Sequence, residues 1–151
     1  MSPELQVVEE PPEVQLCAFV VGEEEYAVDI HRVLEILHLP PTAQFPRAPG
    51  CDGVLNLRGE ILPLVDLRRV FGTATAPSES RRQGLLVCTV GRRKIAFRVD
   101  KVTQVVRARR DELKPVPPLG GDGPRNPHVI GLCPRGSRLV FLLNLRAVVA
   151  A

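Results

Sequence analysis

The sequence predicts an all-β protein of two five-stranded antiparallel units, each curled into a small barrel and each ending in a short helical turn. Three observations carry this. Residues 16–38 lie over residues 85–107 without a gap, and residues 53–70 lie over 131–148 at equal length. Within each copy, apolar runs of strand length alternate with breaks that carry Gly and charge. Fifteen Pro and twelve Gly in 151 residues demand many turns and few long helices; with no Trp and 4% aromatics, Val and Leu must build the core, and Val favours strands.

The elements follow in order. After an acidic, Pro-rich lead over 1–13, "LCAFVV" (16–21) and "YAVDI" (26–30) read as a hairpin around Gly22-Glu23-Glu24-Glu25, and the chain then bends into a third strand through Val33. The second copy repeats this with Gly91-Arg92-Arg93-Lys94 at the tip and Val102 in place of Val33. "GVLNLRGEILPLVDLRRV" (53–70) reads as a tighter hairpin, with Gly59 serving the turn and Pro63 at a strand position that donates no ladder hydrogen bond. Asp66 then N-caps a helical turn, as Asn144 does in the counterpart 131–148. Pro-rich connectors at 39–50, 72–84 and 115–127 separate the pieces. Five strands with one exposed face do not make a stable flat sheet, so each unit closes on itself and the two outer apolar faces pack together. Residues 14–151 thus read as one domain of two repeated subdomains.

Composition excludes several classes. No apolar run approaches the roughly 20 residues of a membrane span, and the lead is the opposite of a basic, apolar signal peptide. The four cysteines (Cys17, Cys51, Cys88, Cys133) stand singly with no His at ligand spacing, which points to a reduced, cytoplasmic setting and no metal or other cofactor. The three His lack the context of a triad, the Ser lack a nucleophile elbow and no Gly-rich phosphate loop is present, so no catalysis is expected. The net charge of +3 hides an acidic 1–40 segment and a basic 81–110 segment, either two solvated faces or a dipole that steers a partner. Small barrels with basic stretches also bind nucleic acid, the reading from another class. Single-strand binders interleave stacking aromatics with charge, however, and only Phe97 falls in 81–110, in alternation with Arg98. No nucleic-acid partner is therefore expected.

"EEYAVDIHRVLEIL", "FPRAPGCDGVLNLRGEILPLVDLRRVFG" and "RRKIAFRVDKVTQVV" resemble the CheW family of chemotaxis coupling proteins over about residues 14–149, most specifically in the Gly-Val-x-Asn-Leu-Arg-Gly-x-x-x-Pro-x-x-Asp-Leu pattern at 53–67. The resemblance implies two intertwined five-stranded barrels. It also implies a non-catalytic adaptor, cytoplasmic and recruited to receptor arrays, that binds the cytoplasmic tip of a chemoreceptor and the regulatory domain of a CheA-type histidine kinase. Carried over by position, it implies receptor contact at Ile30, Val33, Glu35, Ile36 and Arg58, with Glu35 and Arg58 orienting polar partners or pairing with each other. It implies kinase contact at Gly53, Val54, Gly131 and Leu132, whose competing reading is turn glycines plus core aliphatics. The chain departs from the family in the short loop "APGCDG", in Arg98 where an aliphatic is commoner, and in stopping soon after the last helical turn. A chain lacking one standard interface would bind receptors without engaging the kinase, which is the alternative reading.

Overall fold

The computed structural model describes residues 12–40, 42–73, 83–117 and 127–150. In the first copy, β1 (Glu13–Val21) and β2 (Glu24–Asp29) form a hairpin, and a 3-10 turn (Ile30–Arg32) leads into β3 (Val33–Leu39). The hairpin β4 (Gly53–Leu57) and β5 (Glu60–Asp66) follows, then the helix α1 (Leu67–Phe71). The second copy repeats the order with β6 (Gln83–Val90), β7 (Arg93–Val99), β8 (Lys101–Arg109), a 3-10 turn (Arg110–Glu112), β9 (Val129–Arg135), β10 (Arg138–Leu143) and α2 (Leu145–Ala150). Apart from Pro12 and Glu13, the lead expected over 1–13 lies outside the described residues, and Glu13 already opens β1. Much of the second and third connectors, 74–82 and 118–126, lies outside them too.

The strands gather into two sheets that each draw on both copies. Sheet A runs β8-β1-β2-β10-β9 and sheet B runs β3-β6-β7-β5-β4. Exchanging each element for its repeat counterpart turns one order into the other, so the molecule has an internal pseudo-twofold. The barrels are intertwined because the third strand of each copy crosses to the sheet holding the other copy's first hairpin. One pairing in each sheet, β2 with β10 and β5 with β7, is parallel. Counting hairpins does not foresee these pairings, since the paired strands come from different copies and no tight turn dictates their direction.

Each sheet closes through a connector. In barrel A, Lys114 and Leu132 exchange two backbone hydrogen bonds of 2.8 Å. In barrel B, the Val54 N–H donates to the Pro46 carbonyl at 2.8 Å. Gly131 and Gly53 stand where these connectors cross. A Cβ on Gly131 would sit 3.2 Å from the Lys114 carbonyl oxygen, and one on Gly53 3.2 Å from that of Pro46. Pro63 is tolerated for a related reason: β5 pairs with β7 only from Leu64 to Asp66, so Pro63 precedes that ladder.

Strand alternation builds three apolar cores. Leu16, Ala18, Ala27, Val106, Cys133 and Val140 fill barrel A, and Leu62, Leu64, Leu85, Val87 and Ala96 fill barrel B. Between the barrels the opposite faces of the same strands meet, with Phe19, Val21, Tyr26, Leu86, Ile95 and Phe97 packed under Leu67 of α1 and Leu145 and Val148 of α2. Each fully buried aliphatic or aromatic side chain contributes about 1.5–3 kcal/mol. Both helices begin as the sequence predicts: Asp66 Oδ1 accepts from the Arg68 N–H at 3.0 Å, and Asn144 Oδ1 from the Arg146 N–H at 3.1 Å.

Candidate functional site

The site begins where β2 ends. Asp29 Oδ1 accepts from the backbone N–H of His31 at 2.9 Å and lies 2.9 Å from its Nδ1, which fixes the 3-10 turn that swings the chain from sheet A to sheet B. Partial burial pushes the Asp29 carboxyl up, but the hydrogen bonds from His31, with the charges of His31 and Arg32, together outweigh it and hold the carboxyl below its ordinary range. The β3 strand then enters with a bulge. Val33 pairs with Cys88 but Glu35 with Val87 and Ile36 with Leu86, leaving Leu34 as the extra residue. Cys88 and Leu86 face the seam between the barrels, whereas Val87 faces the interior of barrel B. The bulge therefore puts Val33 and Ile36 on the seam side and Glu35 on the other. Ile30 and Val33 pack partly buried against the inter-barrel core, while Ile36 is 36% and Leu34 50% exposed.

Arg58 reaches this strand from the β4–β5 turn. Leu57 pairs with Glu60, so the turn has two central residues, and both adopt positive φ: Arg58 at 52° and Gly59 at 86°. Asn56 Oδ1 accepts from the Gly59 N–H at 3.0 Å and braces the turn. Gly59 accepts such a conformation freely, but Arg58 is the only non-glycine among the described residues with positive φ. Its guanidinium meets Glu35 as a two-pronged pair, Nη1 to Oε2 at 2.8 Å and Nη2 to Oε1 at 2.5 Å. The hydrogen bonds from Arg58 hold the Glu35 carboxyl below the usual carboxylate range, and Glu35 in turn raises Arg58. The pair stands over a cleft of about 220 Å³ at the mouth of barrel B, lined also by Leu34, Leu57, Leu62 and Val87, with the ion-paired Glu60 and Lys94 at its rim. An edge strand with an aliphatic stripe on one side and a fixed charge pair on the other is equipped for recognition.

The other expected residues fall elsewhere. Gly53 and Gly131 are buried at the closing crossings, and Val54 and Leu132 make the closing hydrogen bonds while their side chains stay partly exposed. Around each lies an apolar outer hairpin face: Ile61 is 61% exposed on β5, and Ile130 and Leu139 are 62% and 47% exposed on β9 and β10. Sequence reasoning passed over these three and also Leu34; strand alternation marks the first three as outward-facing, but only the bulge exposes Leu34. It also passed over two carboxylates that act as ties. Asp52 accepts from the Asp66 N–H at 2.7 Å and from Arg69 Nε at 2.5 Å. Asp100 accepts from the Gly22 N–H at 2.6 Å and pairs with Arg68, joining the β1–β2 tip to α1. Phe97 is 1% exposed, so it offers no stacking face, and no aromatic ring among the described residues is fully exposed. Among the described residues no group of three or more His, Cys, Asp or Glu is arranged to hold a metal ion, and no helix is long and apolar enough to cross a membrane.

Comparison with known proteins agrees with this architecture. The model of the CheW-like domain family matches residues 15–151. The chain is 32% identical over 136 residues to the chemotaxis protein CheW of Helicobacter pylori, covering 89% of this chain and 81% of that one. It is 32% identical over 135 residues to the CheW of Rhizobium meliloti, covering 89% and 86%. The crystal structure of the scaffolding protein TtCheW from Thermoanaerobacter tengcongensis superposes with a TM-score of 0.77 at 23% identity, covering 93% of this chain and 90% of that one, and shares its fold.

Proposed function

The chain belongs to the CheW-like domain family, and on that premise we propose that it is a non-catalytic chemotaxis adaptor coupling chemoreceptors to a CheA-type histidine kinase. The observation that carries the reading is the edge strand β3 and the turn before it, with Ile30, Val33 and Ile36 on the seam side and the Arg58–Glu35 pair across the edge on the other side. An amphipathic receptor helix laid along this edge would bury its apolar face on the stripe and reach the charge pair with polar side chains that pass around the edge of β3. Arg58 is held in a conformation that costs a non-glycine residue roughly 1–3 kcal/mol, and such strain persists where a side chain must be presented. The kinase regulatory domain would take the outer hairpin faces around Val54 and Leu132, with Gly53 and Gly131 letting the backbone beneath close. Two such faces on one closely packed body are what coupling requires, because a shift at one then biases the other. The protein would reach receptor arrays from the cytoplasm through its receptor contact.

The test is binding of the purified chain, separately, to a receptor cytoplasmic fragment and to the kinase regulatory domain. Arg58→Glu should weaken receptor binding at least about tenfold, by repelling Glu35 and dismantling the pair, and leave kinase binding unchanged. Binding to the receptor alone would reduce the protein to a receptor-tuning member of the family. Binding to neither would sink the proposal.

A further inference from the structure

A second cleft, of about 590 Å³, opens on barrel B and shares no residue with the mouth beneath Glu35 and Arg58. It is walled by the β3–β4 connector, the end of β5, α1 and β7, and three guanidiniums line it, those of Arg47, Arg69 and Arg98. Its two carboxylates are already committed to the protein. Asp52 is held by the Asp66 N–H and Arg69 Nε, and Asp66 caps α1 through the Arg68 N–H. Arg69 is therefore neutralised, while Arg47 and Arg98 pair with no carboxylate among the described residues. Arg98 is partly buried, and its guanidinium carbon stands 5.9 Å from the centroid of the Phe45 ring. A partly buried guanidinium without an acceptor gains from an incoming oxyanion.

We propose that this cleft binds a small organic phosphate, its dianionic end between Arg47 and Arg98 and its apolar body against Phe45. One guanidinium satisfies one carboxylate, as Arg69 does Asp52; two uncommitted forks match the charge and the three oxygens of a phosphate monoester. The volume lies within the range of small-molecule sites, and the half-buried Phe45 ring supplies an apolar surface beside the guanidiniums. The inference does not depend on the adaptor reading, since the cleft is separate from the Arg58–Glu35 mouth.

Phenyl phosphate titrated into the full chain, followed by amide NMR at constant ionic strength, tests it. Saturable shifts should appear around Arg47, Asp52, Arg69 and Arg98, and inorganic phosphate should bind several-fold more weakly. Arg98→Leu and Arg47→Ala should each weaken phenyl phosphate about tenfold. Arg92→Ala, at the solvated β6–β7 tip, should change nothing. If Arg98→Leu lowers the melting temperature, Arg98→Lys substitutes for it: it keeps the charge, loses the fork and should still weaken binding. Shifts that track ionic strength, survive both substitutions or centre on Arg92 and Arg93 would overturn the proposal, as would equal affinity for the two phosphates.

Discussion

Arg58 shows how one residue can be chosen against local preference. The positive φ it adopts suits Asn or Gly far better, and the neighbouring Gly59 is the partner such a turn prefers. Arg58→Asn should therefore raise the melting temperature by about 2 °C while weakening receptor binding, which thermal unfolding and a binding titration would separate. The Glu35 carboxyl lies below its ordinary value, chiefly through the Arg58 hydrogen bonds. The folded protein therefore binds fewer protons there than the unfolded chain does, so the stabilisation is full above the unfolded value near about 4.3 and fades as pH falls through the lower folded value. The pair should stay intact at pH 5, and Arg58→Ala should move the Glu35 titration upward in a carboxyl NMR titration. The cysteines make a third case. Burial pushes Cys88 up to about 12 and raises Cys17 and Cys133, leaving Cys51 alone partly exposed. One thiol of four should react with an aromatic disulfide reagent in the native protein, and all four in denaturant; a second fast-reacting thiol would contradict the packing.

At the scale of elements, the crossings explain why two glycines sit in strands that otherwise want branched side chains. Gly131→Val should destabilise by about 1–3 kcal/mol, measured by denaturant unfolding, because the new side chain meets the Lys114 carbonyl that closes barrel A. The bulge at Leu34 has a counterpart in β8, where Thr103 is the extra residue between Ala18–Gln104 and Phe19–Val102. This recurrence identifies the bulge as part of the repeat, set by where the third strand bends between sheets. It is also what aligns Val33 with Ile36 on the seam. Periodicity alone would put them on opposite faces, so the family resemblance points to the stripe where alternation does not.

At the scale of the molecule, the two halves cannot be parted. Cleavage anywhere between residues 73 and 83 leaves each sheet with strands on both fragments. A chain of residues 1–73 should be unfolded alone by circular dichroism and regain strand signal on mixing with 83–151; independent folding would refute the exchange. The pseudo-twofold extends to charge, with signs reversed: Lys94 pairs with Glu60 at 3.1 Å, and at the matching positions Glu25 pairs with Arg138 at 3.1 Å. The opposite charges of the two hairpin tips are thus partly an internal pairing scheme rather than two idle solvated faces.

The all-β class, the repeat, the two five-strand counts, the turn glycines and the helix caps are legible in the sequence because each rests on local chemistry: period-two alternation, positive φ and a cap oxygen. The sequence leaves two roles for Glu35 and Arg58, and they pair because β3 crosses to the sheet that carries β4 and β5. Which strands share a barrel, which pairs run parallel, where Leu34 bulges, and which guanidiniums are left uncommitted depend on contacts between residues far apart in the chain. Local propensity holds no information about those partners, so only the tertiary structure decided them.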